Sequence, residues 1–121
     1  MYRTMCHAKI HRATVTQTDL HYEGSITIDP DFLQRVDLLP YEKVQVVNIN
    51  NGHRGDTYII KGEAGSGIIG INGALAHHHK VGDRVIIIGY KVLENNEARL
   101  IEPKLIVLDE NNQILDQEKV V

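Results

Sequence analysis

The sequence predicts a small, mainly β domain that closes into a barrel and carries only short helices. Ile and Val together number 26 of the 121 residues, against 16 for Leu and Ala, and β-branched side chains favour strands. Eight of the ten glycines fall between Gly52 and Gly82, which is typical of short strands that turn tightly and pass close to other backbone. Because closure removes exposed sheet edges, we expect one barrel and one domain, residues 1–121.

The first elements are predicted from alternation and from a helix cap. Residues 4–16 mix β-branched and polar residues in rough alternation, which predicts one or two strands interrupted near residues 9–12. A short strand is expected over residues 25–28. The pair Asp29-Pro30 offers an N-cap followed by proline at the first helical position. This pair predicts a two-turn helix that ends before Pro40.

The rest of the chain is predicted to continue mostly as strands. In order, we expect a strand over 43–50, a turn at 50–52, a strand over 57–61, a helical turn over 73–79 opened by Asn72, and long strands over 84–93 and 100–108. The polar tail after Asp109 is expected to be loosely held.

Charge and hydropathy exclude several classes of partner. The formal net charge is −3 and the 13 Lys and Arg residues are scattered, so the chain has no basic surface for nucleic acid. Its longest aliphatic runs, 85–88 and 105–108, are far shorter than the ~20 residues that span a bilayer. The single cysteine, Cys6, cannot form an internal disulfide. We therefore expect a cytoplasmic protein with no nucleic-acid or membrane partner.

The dipeptide Gly24-Ser25 is the first candidate for chemistry, and by itself it is weak. Gly and Ser are both common, and Gly65-Ser66 is a second copy in the same chain. Taken alone, the dipeptide is most simply a turn leading into the strand over residues 25–28.

Two sets of side chains could hold an acidic substrate. Lys9 and His11 are two residues apart and share one face of a strand, where they could bind a carboxylate or form a solvated edge. Arg54 could grip a carboxylate with two hydrogen bonds, and Tyr58 could deliver a proton, although both also suit ordinary packing. Alternation sends Thr57 and Tyr58 to opposite faces, so a shared site needs a bend or a barrel rim.

The run His77-His78-His79 does not predict a metal site. Three consecutive residues cannot share a helical face, and no carboxylate or thiol stands at ligand spacing beside them. We expect no bound metal.

The motifs together resemble one family. The segments Arg3-Thr4-Met5, Lys9–Thr16, Asp19–Ser25, Asn50-Asn51-Gly52, Thr57-Tyr58 and Ile71–Ala74 occur in the order and spacing of the pyruvoyl-dependent aspartate 1-decarboxylases. The resemblance runs from Met1 to about Pro103. It implies a six-stranded double-psi β-barrel, assembled as a homotetramer with active sites between subunits. The implied reaction converts L-aspartate to β-alanine and CO₂ for pantothenate biosynthesis.

The resemblance also implies a role for each motif residue. Members are made as an inactive proenzyme, which would here cleave itself between Gly24 and Ser25 into residues 1–24 (β chain) and 25–121 (α chain). Ser25 would become the pyruvoyl group that forms a Schiff base with the substrate, and Tyr58 would donate a proton. The implied substrate-binding residues are Lys9, His11, Arg54, Thr57, Asn72, Gly73 and Ala74, with Thr57 and Asn72 also assisting cleavage. No metal and no pyridoxal phosphate is implied.

The chemistry of decarboxylation agrees with this assignment. Loss of CO₂ leaves electrons on the α-carbon that no ordinary side chain can accept, whereas an electrophilic carbonyl can. A carbonyl made from the chain itself needs no cofactor-binding domain, which suits 121 residues. The alternative is a non-enzymatic small β-barrel that binds or regulates, with Gly24-Ser25 a plain turn. A swapped-barrel DNA-binding protein is disfavoured by the negative charge.

Two positions depart from the family's pattern. Gly55-Asp56 stands where relatives usually place a large apolar residue first, which predicts a more mobile loop around Arg54. Leu75 replaces a small residue after Ala74. Neither change removes a chemical group, but both are expected to affect substrate affinity.

Overall fold

The computed structural model describes residues 1–115, which form nine strands and three short helices. The strands are β1 (Tyr2–Thr14), β2 (Gln17–Asp19), β3 (Ser25–Ile28), β4 (Lys43–Asn48), β5 (Arg54–Lys61), β6 (Ile69–Asn72), β7 (Arg84–Glu94), β8 (Lys104–Leu108) and β9 (Ile114–Leu115). The helices are α1 (Pro30–Val36), a 3₁₀ helix (Gly73–His78) and α2 (Asn95–Ala98). The predicted mainly β class with short helices is confirmed.

The strands form one hydrogen-bonded series, and the chain connects its first strand directly to a strand near its other end. Their order is β2-β6-β3-β5-β4-β7-β1-β8-β9. Only Val15 and Thr16 separate β1 from β2, so the first strand of the series continues a strand near its other end. The backbone N–H of Thr16 donates to Ile69 O on β6 (2.8 Å), and that of Val15 donates to Asp83 O (2.9 Å). The series thus wraps around one core, while the double-psi crossing stays a prediction.

The core is aliphatic and drawn from alternate positions of the strands. The largest fully buried side chains are Ile10, Ile26, Ile28, Ile59, Ile69, Ile71, Ile87, Leu108, Val15, Val36, Val44 and Val46. Burying each contributes about 1.5–3 kcal/mol relative to exposure. Because side chains alternate along a strand, inward Ile26 and Ile28 leave Ser25 and Thr27 on the outer face of β3.

The predicted interruption of the first strand is a bulge and not a break. The register of β1 against β7 pairs Ile10 with Ile87 and Ala13 with Val85, so His11 and Arg12 together face one residue of β7. Arg12 adopts φ +67° there. The strand continues because β7 and β8 pair with its two edges.

Two expectations for the carboxyl-terminal part are wrong. The strand predicted over residues 100–108 begins only at Lys104, and this strand, β8, pairs with β1. The tail after Asp109 is not loose over residues 110–115. Asn112 is 5% exposed, and its Nδ2 donates to Thr14 O and Gly67 O, both at 2.9 Å. Residues 116–121 lie outside the described part of the chain.

Asp29 caps α1, as predicted, and also fixes a distant loop. It is 2% exposed, and its Oδ1 accepts from the backbone N–H of Asp31 (2.9 Å) and of Gly65 (3.1 Å). Its Oδ2 accepts from the N–H of Gly67 (2.8 Å). One carboxylate therefore joins the helix start to the loop between β5 and β6. The longest helix of residues 1–115 is α1, with seven residues, and none is long and apolar enough to cross a membrane.

Replacing this carboxylate should destabilise the whole domain. We expect Asp29→Ala to lower the free energy of unfolding by about 2–4 kcal/mol, because the cap is lost and buried N–H groups lose their acceptor. The control is Asp31→Ala, which removes an exposed acidic residue from the same helix turn and should cost less than about 1 kcal/mol. Urea unfolding measures both, and equal losses would refute the role given to Asp29.

Candidate active site

Ser25 is a buried serine whose hydroxyl is held from two sides. It starts β3, is 1% exposed and stands opposite Asn72 of β6. Asn72 Nδ2 donates to Ser25 Oγ (3.0 Å) and to Thr27 Oγ1 (3.0 Å). Ser25 Oγ donates in turn to the carbonyl of Glu23 (3.1 Å). These bonds fix the direction of the hydroxyl beside the peptide bond between residues 24 and 25.

Gly73 packs directly against the peptide that precedes Ser25. It begins the 3₁₀ helix with φ +79°, and a Cβ added there would lie 2.6 Å from Gly24 Cα and 2.9 Å from Gly24 N. A Cβ added at Gly24 would meet nothing within 4 Å. Ala74 follows Gly73 on the exposed side. The structure therefore brings together Gly24, Ser25, Asn72 and Gly73, as the sequence predicted.

Tyr58 lies on the strand beside Ser25 and on the same face. Strands β3 and β5 are parallel, with Ile26 opposite Ile59 and both side chains fully buried. The residues immediately before them, Ser25 and Tyr58, therefore both face outward on neighbouring strands, roughly 4.8 Å apart along the sheet. Tyr58 is 36% exposed. Thr57 faces the opposite way, paired with buried Val44, so the two residues do not share a face.

Tyr58 also borders an open cavity. The cavity measures about 250 Å³ and is lined by Lys43, Asp56, Thr57 and Tyr58. Arg54 begins β5 and is exposed on the same face of the strand as Tyr58. A larger cavity of about 460 Å³ lies across β4 and β7 and contains neither Ser25 nor Tyr58. We assign the chemistry to the Ser25 side because the oriented hydroxyl is there.

Lys9 and His11 share the outer face of β1, as predicted, but they are remote from Ser25 in the single chain. Strands β7 and β4 separate β1 from β5, which places Lys9 roughly 14 Å from the strand of Tyr58. On the other side of Ser25, β6 pairs with both β3 and β2, so that Ser25 and Asp19 each stand opposite Asn72. Asp19 is eight residues from His11, or roughly 26 Å of extended chain. The predicted site residues therefore form two groups on the outer face of the sheet, one with Lys9 and His11 and the other with Ser25 and Tyr58.

His11 is held in an environment that disfavours its charged form. Burial lowers the pKa of the imidazole, and the positive charges of Lys9, Arg12 and Arg84 lower it further. Its Nδ1 is buried without a hydrogen-bond partner among residues 1–115. The neutral form is therefore favoured at neutral pH.

The strand start that carries Arg54 is fixed to the 3₁₀ helix. His53 stacks on His78 with ring centroids 3.6 Å apart and planes 7° apart. The side chains of Asn48 and Asn51 both donate to His78 O, at 3.1 and 2.9 Å. Sequence inspection missed His53, since only the fold brings it to His78.

The three consecutive histidines, residues 77–79, lie in different surroundings. His77 and His78 are exposed, whereas His79 is 5% exposed and its Nδ1 lies 3.0 Å from Leu75 O. Burial lowers the pKa of His79, and the contact with the Leu75 carbonyl opposes that shift. Within residues 1–115, no group of three or more His, Cys, Asp or Glu side chains is arranged to hold a metal ion.

Thr27 was also missed, although a signal for it was present. It shares the Asn72 amide with Ser25. Alternation over residues 25–28 places Thr27 on the face of Ser25, so the strand prediction alone could have identified it.

The two departures from the family's pattern fit each other. A Cβ on Gly55 would lie 2.6 Å from Leu75 Cδ1 and 3.3 Å from His53 Cε1. The space left at position 55 is therefore filled by the larger side chain at position 75. This packing joins the strand of Arg54 to the helix that begins at Gly73.

A double-mutant cycle should detect this pairing. We expect Gly55→Ala to destabilise the protein by about 1–3 kcal/mol through overpacking against Leu75. Adding Leu75→Ala should relieve the clash, so the double variant should lose less than the sum of the single variants by at least about 0.5 kcal/mol. Urea unfolding of the four proteins gives the coupling energy, and strict additivity would show that the two positions are independent.

Comparison with known proteins agrees with the motifs. The sequence profile of a family described as aspartate decarboxylase matches residues 1–115. The aspartate 1-decarboxylases of Listeria monocytogenes serovar 1/2a, Listeria innocua serovar 6a and Listeria welshimeri serovar 6b are each 58% identical over 122 residues, covering 98% of this chain and 96% of the relative. These matches confirm the predicted resemblance and the enzyme class, and disfavour a non-enzymatic binding module. The chain belongs to the aspartate decarboxylase family.

Proposed function

We propose that this protein is an aspartate 1-decarboxylase that converts L-aspartate to β-alanine and CO₂, supplying pantothenate synthesis in the cytoplasm, with a pyruvoyl group made from Ser25. Beyond family membership, one observation carries the proposal. A buried serine hydroxyl is fixed by Asn72 and Glu23 beside a glycine whose backbone is packed against Gly73. A plain turn would need neither the burial nor the oriented hydroxyl.

The residues around position 25 fit such a group. Ser25 is almost fully buried, Gly24 has no side chain to block its carbonyl, and Asn72 offers an N–H donor at the position of the hydroxyl oxygen. The group would be held between Asn72 and the strand of Tyr58. It would supply an electrophilic carbonyl that accepts the electrons left behind by CO₂.

The proposed self-cleavage starts from the Ser25 hydroxyl. Its Oγ attacks the carbonyl carbon of Gly24, and the peptide C–N bond breaks to leave an ester and a free amine. Removal of the Ser25 α-proton then expels the Gly24 carboxylate and leaves dehydroalanine. Water adds and ammonia departs, which leaves a ketone at the new amino terminus. Asn72 orients the nucleophile and is the nearest donor for the oxyanion.

The proposed substrate side of the reaction uses two cationic side chains, a neutral imidazole and a phenol. Aspartate brings two carboxylates, for which Arg54, Lys9 and His11 are the proposed partners, with Thr57, Gly73 and Ala74 completing the surroundings. Tyr58 stands beside position 25 on the same face, which supports it as the proposed donor of the proton that the α-carbon takes up after CO₂ leaves. Asn72 remains the hydrogen-bond donor next to the reacting centre.

The separation of the two outward groups supports assembly. Within one chain, β7 and β4 lie between the strand of Lys9 and His11 and the strand of Tyr58, whereas a neighbouring copy can present its β1 to the β3–β5 face. We therefore assign the active site to the contact between subunits of a homotetramer. Each cleaved subunit would stay intact because β1 pairs with β7 and β8, both of which lie after residue 25.

Cleavage should depend on Ser25 and on no other Gly-Ser pair. We expect the wild type to give fragments of 24 and 97 residues, with the longer one lighter by one ammonia than a serine-started chain. Ser25→Ala should remain one inactive chain of 121 residues. The control is Ser66→Ala, which alters the exposed second Gly-Ser pair and should be cleaved normally.

Denaturing gels and intact-mass spectrometry read out this experiment. An uncleaved wild-type chain that still decarboxylates aspartate would overturn the pyruvoyl proposal. An uncleaved wild type without activity would favour the binding module.

Losing the phenol of Tyr58 should impair turnover and spare cleavage. We expect Tyr58→Phe to carry the processed terminus but to form product at least ~100-fold more slowly, the usual scale for losing a general acid. Tyr2→Phe is the matched control, since Tyr2 is 70% exposed and starts β1, which β7 and β4 separate from the strand of Tyr58. Single-turnover product formation decides, and a near-normal rate would return Tyr58 to a packing role.

A further inference from the structure

Arg84 is bonded to the backbone of the bulge that carries His11. Its Nε and Nη2 donate to Arg12 O at 3.0 and 2.6 Å, and Nη2 also donates to Leu108 O at 2.9 Å. Arg84 begins β7, whereas Arg12 lies on β1 and Leu108 ends β8. One guanidinium therefore bridges three strands at the bulge.

The Arg12 carbonyl lies at the bulge, where the regular pairing of β1 with β7 is interrupted. His11 and Arg12 together face a single residue of β7, so one of the two residues loses its place in the β1–β7 ladder. The β1–β8 ladder ends at His11 and Val107, one residue before Leu108. The guanidinium supplies N–H donors for both sites, with the fixed fork geometry that Lys lacks.

The bulge is also a strained piece of backbone. Arg12 has φ +67°, a left-handed conformation that is uncommon for residues other than glycine. Such conformations persist when the surroundings hold them. Bulges turn side chains away from strict alternation, and His11 is one of the two residues in this one.

The charged groups facing His11 are all cationic. Lys9 and Arg12 come from its own strand, Arg84 comes from β7, and the β8 residue paired with His11 is the uncharged Val107. A protonated His11 would also bury an Nδ1–H donor that has no acceptor among residues 1–115. Nδ1 is thus the buried nitrogen, and Nε2 is the one left to face a ligand.

We propose that Arg84 is a positioning residue that holds the β1 bulge so that His11 presents its Nε2 outward, toward a ligand. Its effect on substrate binding rests on the proposed function, in which His11 meets a carboxylate of aspartate. The positioning itself rests only on the contacts of Arg84 and the surroundings of His11. Arg84 touches no substrate in this scheme and acts through the backbone of residue 12.

The test uses the cleaved, assembled protein with ring-labelled histidine, followed by NMR through pH 5–8, with His11→Gln assigning the resonance. In the wild type, His11 should titrate below the ordinary histidine range. Arg84→Met should raise the pKa of His11 toward its ordinary value, since a nearby charge is lost and the bulge relaxes. Arg35→Met removes an exposed arginine of α1 and should leave the titration unchanged.

Kinetics provide the second measurement. Cleavage and kcat should be near normal in Arg84→Met, while KM for aspartate rises about 10-fold, because carboxylate binding is affected and the chemical step is not. Arg84→Lys keeps the charge but not the fork, so it should also raise KM while moving the His11 titration less. If Arg84→Met does not fold, Arg84→Lys still tests the geometry.

The outcomes separate this proposal from the proposed function. An unchanged pKa of His11 in Arg84→Met overturns the positioning role, whether or not kcat and stability also fall. A wild-type protein that is not cleaved or does not act on aspartate overturns the proposed function and leaves the NMR result valid. A KM rise that Arg84→Lys restores fully would show that charge alone matters and would overturn the geometric argument.

Discussion

The register between β3 and β5 is the constraint on which the candidate site depends. With Ile26 opposite Ile59 and both in the core, Ser25 and Tyr58 must lie side by side on the outer face. A slip of one residue would send Ser25 into the aliphatic core and its isoleucine neighbours into solvent. The free-energy cost of exposing those isoleucines therefore fixes the position of the candidate site together with the register of the sheet. Asn72 enters the same arrangement from the other side, because β6 pairs residue 72 with residue 25.

The 3₁₀ helix that begins at Gly73 adds a second constraint on the candidate site. Gly73 lets the 3₁₀ helix start against the peptide of Gly24, where any Cβ would collide with backbone. The far end of that helix is bonded to the turn before Arg54 through Asn48, Asn51 and the stacked His53 and His78. The helix thus connects the residues proposed for cleavage with a residue proposed for substrate binding, and Leu75 packed over Gly55 closes the contact between them.

Features encoded locally were predictable from the sequence. The strand over residues 25–28, the cap at Asp29 and the alternation that separates Thr57 from Tyr58 each follow from a few adjacent residues. Features that need distant partners were not. The interruption near Arg12 was predicted, but its form as a bulge in a continuous strand depends on two strands from the other end of the chain, and the burial of Asn112 depends on Thr14 and Gly67. The helix α2 also depends on distant partners: the Asn95 N–H donates to Met1 O, and Arg3 Nε donates to Asn95 Oδ1.

The position of the proposed cleavage is compatible with an intact barrel. The bond between residues 24 and 25 lies in the exposed connection from β2 to β3, and neither neighbouring strand relies on that connection for its hydrogen bonds. β2 pairs with β6, and β3 lies between β5 and β6, so both new ends remain fixed by the same strand. The longest strand, β1, is joined to two strands of the larger fragment. Loss of one covalent bond would therefore add freedom at the new amino terminus, where the chemistry needs access, while Asn72 stays beside position 25 because β6 still pairs with β3.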